Sequence, residues 1–198
     1  MINKPEDHPE IKANKIGILL VNLGTPESTD TKSIRKYLKE FLSDRRVIDV
    51  PRVLWWIILN FIILNTRPKK TGAAYKKIWI NNDIDGSPLR KITRLQSEKL
   101  SKMLKNENII VDYAMRYGNP AIHSKLNQFK QKGCDRIIIF SLYPQYSGPT
   151  TATVNDEVCK WMVKQKWQPS IRIIPPYFDN PEYISSISKS ILKSFKEN

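Results

Sequence analysis

Histidine and cysteine are nearly missing from this chain: among its 198 residues stand only His8, His123, Cys134 and Cys159. No Cys-x-x-Cys pair occurs, so neither a disulfide framework nor a structural zinc site is supported, and a reducing cytoplasm is the expected compartment. A Ser or Cys nucleophile needs a histidine within reach. His123 falls on a solvent-facing helical pattern and His8 near the start, which argues against hydrolase chemistry. Glycine is scarce too, with seven in all. The turn "VNLGTPES" offers only Gly24, and neither Gly-x-Gly-x-x-Gly nor Gly-x-x-x-x-Gly-Lys-Ser/Thr is present, so phosphate cradling of a dinucleotide or nucleoside triphosphate has no support. An export signal is lacking as well. "MINKPEDHPEIKANK" places acidic residues and prolines where an apolar run would be needed, and residues 1–14 read as a loose leader.

Acidic residues are in short supply, 19 Asp and Glu against 33 Lys and Arg, for a net charge of +14. Such a balance admits a module that binds anionic membrane or nucleic acid, but charge alone fixes neither partner nor fold. Its distribution says more. Between Arg67 and Lys105 eleven Lys or Arg stand against three Asp or Glu, directly after the longest apolar stretch. That stretch, "LWWIILNFIIL" from Leu54 to Leu64, holds ten apolar residues and one Asn. With Val53 it makes twelve residues, too few for a helical crossing that takes roughly 20. Two readings remain open: a core helix apolar all round, or an interfacial lip with two Trp at one end and Arg67-Pro68-Lys69-Lys70 at the other.

What is present is a regular alternation. "KIGILLVNLG" reads as a strand buried on both faces of a parallel sheet, closed by a glycine turn and followed by a capped helix through Ile34, Leu38, Phe41 and Leu42. "NIIVDYAMRYG", "CDRIIIFSLYPQ" and "SIRIIPPY" read as further strands. Helical patterns lie between them in "SPLRKITRLQSEKLSKML", "NPAIHSKLNQFKQKG" and "PTTATVNDEVCKWMVKQKW", with a last helix from about Pro181 to Lys196. The expected fold is a doubly wound α/β domain with a four-stranded parallel sheet flanked by helices, spanning residues 15–198. In such a sheet ligands bind outside the carboxyl ends of the strands. There the chain places Leu23-Gly24-Thr25, Arg116-Tyr117-Gly118, Leu142 to Thr151, and Pro175-Pro176-Tyr177: planar faces with a cationic rim.

Six motifs in order, "GILLVNLGTPES", "YLKEFLSDRRVID", "ILNTRP", "YKKIW" followed by "GSPL", "MRYGNP" and "LYPQYSGPTT", resemble ferrochelatase, the family that inserts ferrous iron into protoporphyrin IX in the last step of haem synthesis. The resemblance implies two similar Rossmann-like halves with the porphyrin cleft between them, of which this chain is similar to the first. It implies porphyrin contacts at Leu23, against the macrocycle; at Arg67, Tyr75 and Ser87, toward the propionates; at Arg116 and Tyr117 on the inner wall; and at Tyr143, Tyr146 and Ser147. Trp55, Trp56, Ile57, Ile58 and Phe61 then form a lip at the cleft mouth that in some members rests on the membrane, here in peripheral contact with the inner membrane. Protoporphyrin IX and ferrous iron are the implied partners, with no nucleic acid. No cofactor is implied, because Gly148 stands where some members carry a cysteine ligand of an iron-sulfur cluster.

The family's metallation histidine, in a Ser-x-His-Gly-x-Pro stretch, and a later glutamate match no position here. The resemblance therefore implies a truncated member with no catalytic and no metal-ligating residue in this chain. "NNDID", Asn81 to Asp85, lengthens the loop before Ser87. Two further classes stay open at this point, a basic binding module without chemistry and an inactive remnant.

Overall fold

Why the strands form a doubly covered sheet follows from their side chains. The first, β1 (Lys15–Gly24), buries Leu19 and Val21 toward one face and Leu20 toward the other, so it lies in the middle rather than at an edge. The computed structural model, which describes residues 14–81 and 83–197, pairs it in parallel with β2 (Ile109–Tyr117) and β3 (Cys134–Ser141). A short β4 (Ser170–Ile173) adds to β3, giving the order β2-β1-β3-β4, all parallel. The expected four-stranded α/β sheet is present. The leader expected over residues 1–14 lies, apart from Asn14, outside the described residues.

Helices cover both faces. On one side α5 (Ile122–Gln131) and α6 (Thr153–Met162) lay Ile122, Leu126, Phe129, Val154, Val158 and Trp161 on Leu19, Val21, Ala114, Ile137 and Ile139. Gly17 belongs to this contact, since a β-carbon there would come within 2.6 Å of the Phe129 ring. On the other side α4 (Pro88–Leu104) packs on β2 and β1, and the Asn22 amide donates to Thr93 Oγ1 at 3.1 Å. Next to it α1 (Thr31–Leu42) is started by Asp30, whose carboxylate accepts from the backbone N–H groups of Lys32 and Ser33.

The apolar stretch belongs to a continuous helical segment from Arg52 to Ile78: α2 (Arg52–Ile57), a wider π-helical turn over Ile58–Ile63, and α3 (Leu64–Ile78). Pro68, inside α3, cannot donate a backbone hydrogen bond. Polar side chains satisfy carbonyls around the wide turn: Asn60 donates to Trp56 O at 2.8 Å, Asn65 to Phe61 O at 2.8 Å, and Thr66 to Ile62 O at 2.8 Å. α6 is preceded by another wide turn, Gly148–Ala152, and ends at Met162, short of the expected Trp167, because Gln165 and Gln168 cap its carbonyls and turn the chain toward β4. α7 (Pro181–Glu197) matches its expected span, yet none of its residues is buried.

Candidate functional site

The carboxyl ends of β1 and β2 meet at Gly24. Its φ is +115°, and a β-carbon would come within 1.8 Å of the Tyr117 carbonyl, so only glycine fits this approach of the two strands. The glycine of "VNLGTP" is thus explained by strand packing. Around this junction a second apolar cluster forms from Tyr37, Leu38 and Leu42 of α1, Leu59 and Ile63 of the wide turn, Leu64 of α3 and Tyr117. Leu23, Phe41, Trp55, Ile58 and Tyr75 pack on it half-buried. The rings interlock: Phe41 meets Tyr117 edge-on at 5.0 Å, and Tyr37 meets Tyr75 edge-on at 6.3 Å. Burial pushes the Tyr37, Tyr117 and Tyr143 phenols upward, Tyr117 to about 12, so these groups are neutral at physiological pH.

The apolar segment has two faces. Trp55, Ile58, Leu59 and Ile63 turn inward, and the Trp55 indole donates to Leu42 O at 2.7 Å. Val53, Leu54, Trp56, Ile57, Phe61 and Ile62 turn outward, Trp56 and Phe61 being 58% and 64% exposed and in edge-on contact at 5.9 Å. Arg67, Lys69 and Lys70 are exposed on the next turns of the same helical segment. The core-helix reading describes the inward face, and the other face is exposed.

Arg116 and Tyr117 converge on one carboxylate. Asp44, in the turn after α1, accepts from the Arg116 guanidinium, from the Thr153 hydroxyl and, at 2.9 Å, from the Tyr117 phenol, while its second oxygen accepts from the Arg46 backbone N–H at 2.8 Å. Burial works to raise the Asp44 pKa. The hydrogen bonds from Thr153, Arg46 and Tyr117, with the Arg116 charge, outweigh it and hold the carboxyl below its ordinary value. Arg116 also donates from Nε to Thr153 O at 3.1 Å, lies 3.6 Å from Glu157, and stacks 4.3 Å from the Tyr117 ring centroid. Its side chain is 8% exposed. The expected cationic rim is therefore absent at Arg116, whose charge is matched internally. Asp44 and Arg116 line an open cleft of about 960 Å³ shared with Arg46, Asp156 and Glu157.

The sequence profile of the Ferrochelatase family matches residues 15–198. The chain belongs to this family. Among its relatives, a ferrochelatase of Allorhizobium ampelinum is 52% identical over 188 residues, covering 94% of this chain and 54% of the relative. Ferrochelatases of Rhizobium etli strain CIAT 652 (51% identity, 96% of this chain, 55% of the relative) and of Chelativorans sp. strain BNC1 (52%, 94% and 53%) are similar to it as well. The chain thus spans about half the length of the curated relatives it matches.

Of the positions singled out by likeness to ferrochelatase, the structure brings Leu23, Tyr75, Tyr117, Trp55 and Ile58 into one patch. Arg67 is exposed on α3 beside Lys70. Ser87 is buried at the N-terminus of α4, its carbonyl accepting from Lys91 N at 3.0 Å, and the longer "NNDID" loop is pinned by Asp85 to Arg94 at 2.8 Å and by Asp83 to Lys91 at 2.6 Å. Tyr143 packs on the α5/α6 side, with its phenol unpartnered, while Tyr146 is exposed. Ser147 shares a 2.5 Å hydrogen bond with Thr150 before α6. Gly148 has room for a side chain, since a β-carbon would meet only Arg46 O at 3.8 Å. His123 is half-buried rather than solvent-facing, with Nε2 3.0 Å from Glu157 O. Among the described residues no group of three or more His, Cys, Asp or Glu could hold a metal ion, and no helix is long and apolar enough to cross a membrane.

Sequence reading missed Tyr37, Asp44 and Thr153. Tyr37 lies on the same helical face as Ile34 and Leu38, so periodicity marks it as core without marking the phenol. Asp44 reads as a turn residue after a helix. Its partners are 72, 73 and 109 positions away, where no local pattern reaches.

Proposed function

We propose that this domain captures a porphyrin for the insertion of ferrous iron, as half of a ferrochelatase site. A porphyrin is a flat apolar disc with two carboxylates on one edge, so its site must cover the faces with apolar groups and leave cations and hydroxyls near the rim. The observation that carries the reading is the half-buried patch of Leu23, Tyr75, Trp55 and Ile58 on the neutral Tyr117, outside the strand ends and under the apolar lip. Arg67, exposed and without an acidic partner among the ion pairs of the described residues, is the cation offered to a propionate. Removal of the two pyrrole protons and delivery of iron are assigned to no residue of this chain.

The lip's outward face, followed by Arg67, Lys69 and Lys70, suits an anionic bilayer surface, with rings at the headgroups and cations on the phosphates. We read it as a peripheral membrane contact from which an apolar substrate is passed to the patch.

Fluorescence quenching of mesoporphyrin, a stable porphyrin dicarboxylate, tests the reading. The chain should bind it saturably. Arg67→Ala should weaken binding about tenfold if it meets a propionate, a charge-assisted bond of about 1.5–3 kcal/mol. Saturable binding to RNA with no porphyrin binding would sink the proposal.

A further inference from the structure

We propose that Asp44 is a positioning residue, which holds Arg116 and Tyr117 in the orientation that shapes the wall of the site; the inference rests on the porphyrin-capture reading above. Asp44 contributes nothing to the apolar patch. Its Oδ2 instead gathers three donors from two elements, Arg116 and Tyr117 at the end of β2 and Thr153 at the start of α6, while Oδ1 is tied to its own turn through Arg46 N at 2.8 Å. Arg116 is fixed a second time by Thr153 O at 3.1 Å, and its guanidinium carbon lies over the Tyr117 ring, 4.3 Å from the centroid. The ring therefore has its hydroxyl held by Asp44, one face covered by Arg116 and a T-shaped contact with Phe41, centroids 5.0 Å apart. Asp44 and Arg116 side chains are 11% and 8% exposed, so both charges are largely withdrawn from solvent and rely on each other.

The reason for a carboxylate follows from this count. An asparagine in place of Asp44 would keep the size but offer one acceptor oxygen and an NH2 group that faces donors, leaving the Arg116 charge with only Glu157, 3.6 Å away, as an acidic partner. One acceptor oxygen would then be shared among the Arg116, Tyr117 and Thr153 donors without a charge on it, which loosens the guanidinium on the Tyr117 face.

The test uses the full chain, with Asp44→Asn and Asp44→Glu, read by three measurements on folded protein: the rate of Arg116 modification by phenylglyoxal, mapped by mass spectrometry; the Kd for mesoporphyrin; and the Soret maximum of the bound porphyrin. Asp44→Asn should speed Arg116 modification about fivefold, weaken mesoporphyrin about tenfold and shift the Soret band, and Asp44→Glu should return the first two to within about threefold of wild type. A folded Asp44→Asn variant with wild-type Arg116 reactivity, or with wild-type Kd and Soret band, overturns the proposal, because a clamp that only stabilises the fold would lower the melting temperature and leave those unchanged. If that variant does not fold, Tyr117→Phe decides: it removes one Asp44 bond and keeps the ring, and an unchanged Kd and Soret band would overturn the positioning role. A wild-type chain that fails to bind mesoporphyrin sinks the porphyrin reading instead, and the Arg116 modification rate still decides whether Asp44 holds the guanidinium.

Discussion

Adding one methyl group has opposite consequences at the two glycines of the site. At Gly24 it demands an unfavourable φ of +115° and meets the Tyr117 carbonyl at 1.8 Å; at Gly148 it meets only Arg46 O at 3.8 Å. Gly24→Ala should cost at least about 2 kcal/mol in urea unfolding, whereas Gly148→Ala should stay within about 1 kcal/mol, on the stabilising side, since alanine narrows the unfolded ensemble. Equal losses would show that the strand ends can move apart. The same locality governs Arg116. Its sequence position at a strand end made it look like a free cation, and only the meeting of Asp44, Thr153 and Glu157 shows that it is not. Breaking such a buried pair from one side costs about 3–5 kcal/mol, a large share of a domain's stability.

The helical segment from Arg52 to Ile78 has two faces in different surroundings. Its sequence is apolar almost all round as far as Leu64, so periodicity could not choose between a core helix and a lip. Packing divides it into an inward and an exposed face: adjacent tryptophans point to different surroundings. Trp55→Ala removes a half-buried ring and the donor to Leu42 O, and should cost about 2–4 kcal/mol in thermal or urea unfolding. Trp56→Ser, at an exposed position, should change stability by no more than about 0.5 kcal/mol but weaken partition onto anionic vesicles several-fold in a sedimentation assay. If Trp56→Ser unfolds the protein, or leaves vesicle partition unchanged, the outward face is not a membrane contact.

Over the whole molecule, stability is unevenly spread. The sheet and the helices on it hold both apolar clusters, while α7 buries none of its residues, sets Tyr183 edge-on to Tyr177 at 5.3 Å, and exposes Ile184, Ile187, Ile191, Leu192 and Phe195. Hydrogen exchange should therefore open α7 amides first, at free energies well below global unfolding, with β1, β2 and β3 last. Protection of α7 equal to that of β1 would contradict the packing. Strongly opposed layers also explain why the parallel sheet formed as expected: four apolar runs at these spacings have few other ways to bury both faces.

Local pattern was enough for β1 from Lys15 to Gly24 and for α7 from Pro181 onward, because hydrophobic period, capping and glycine turns act over a few residues. Six motifs in order were enough for the ferrochelatase family. Three things depended on contacts between distant segments: Asp44 as the partner of Arg116, Tyr37 under Tyr75, and the division of "LWWIILNFIIL" into an inward and an outward face. A carboxylate in a turn and an isoleucine in an apolar run look alike from the chain whether buried or exposed, and only the neighbours that folding brings to them set their charge environment and their role.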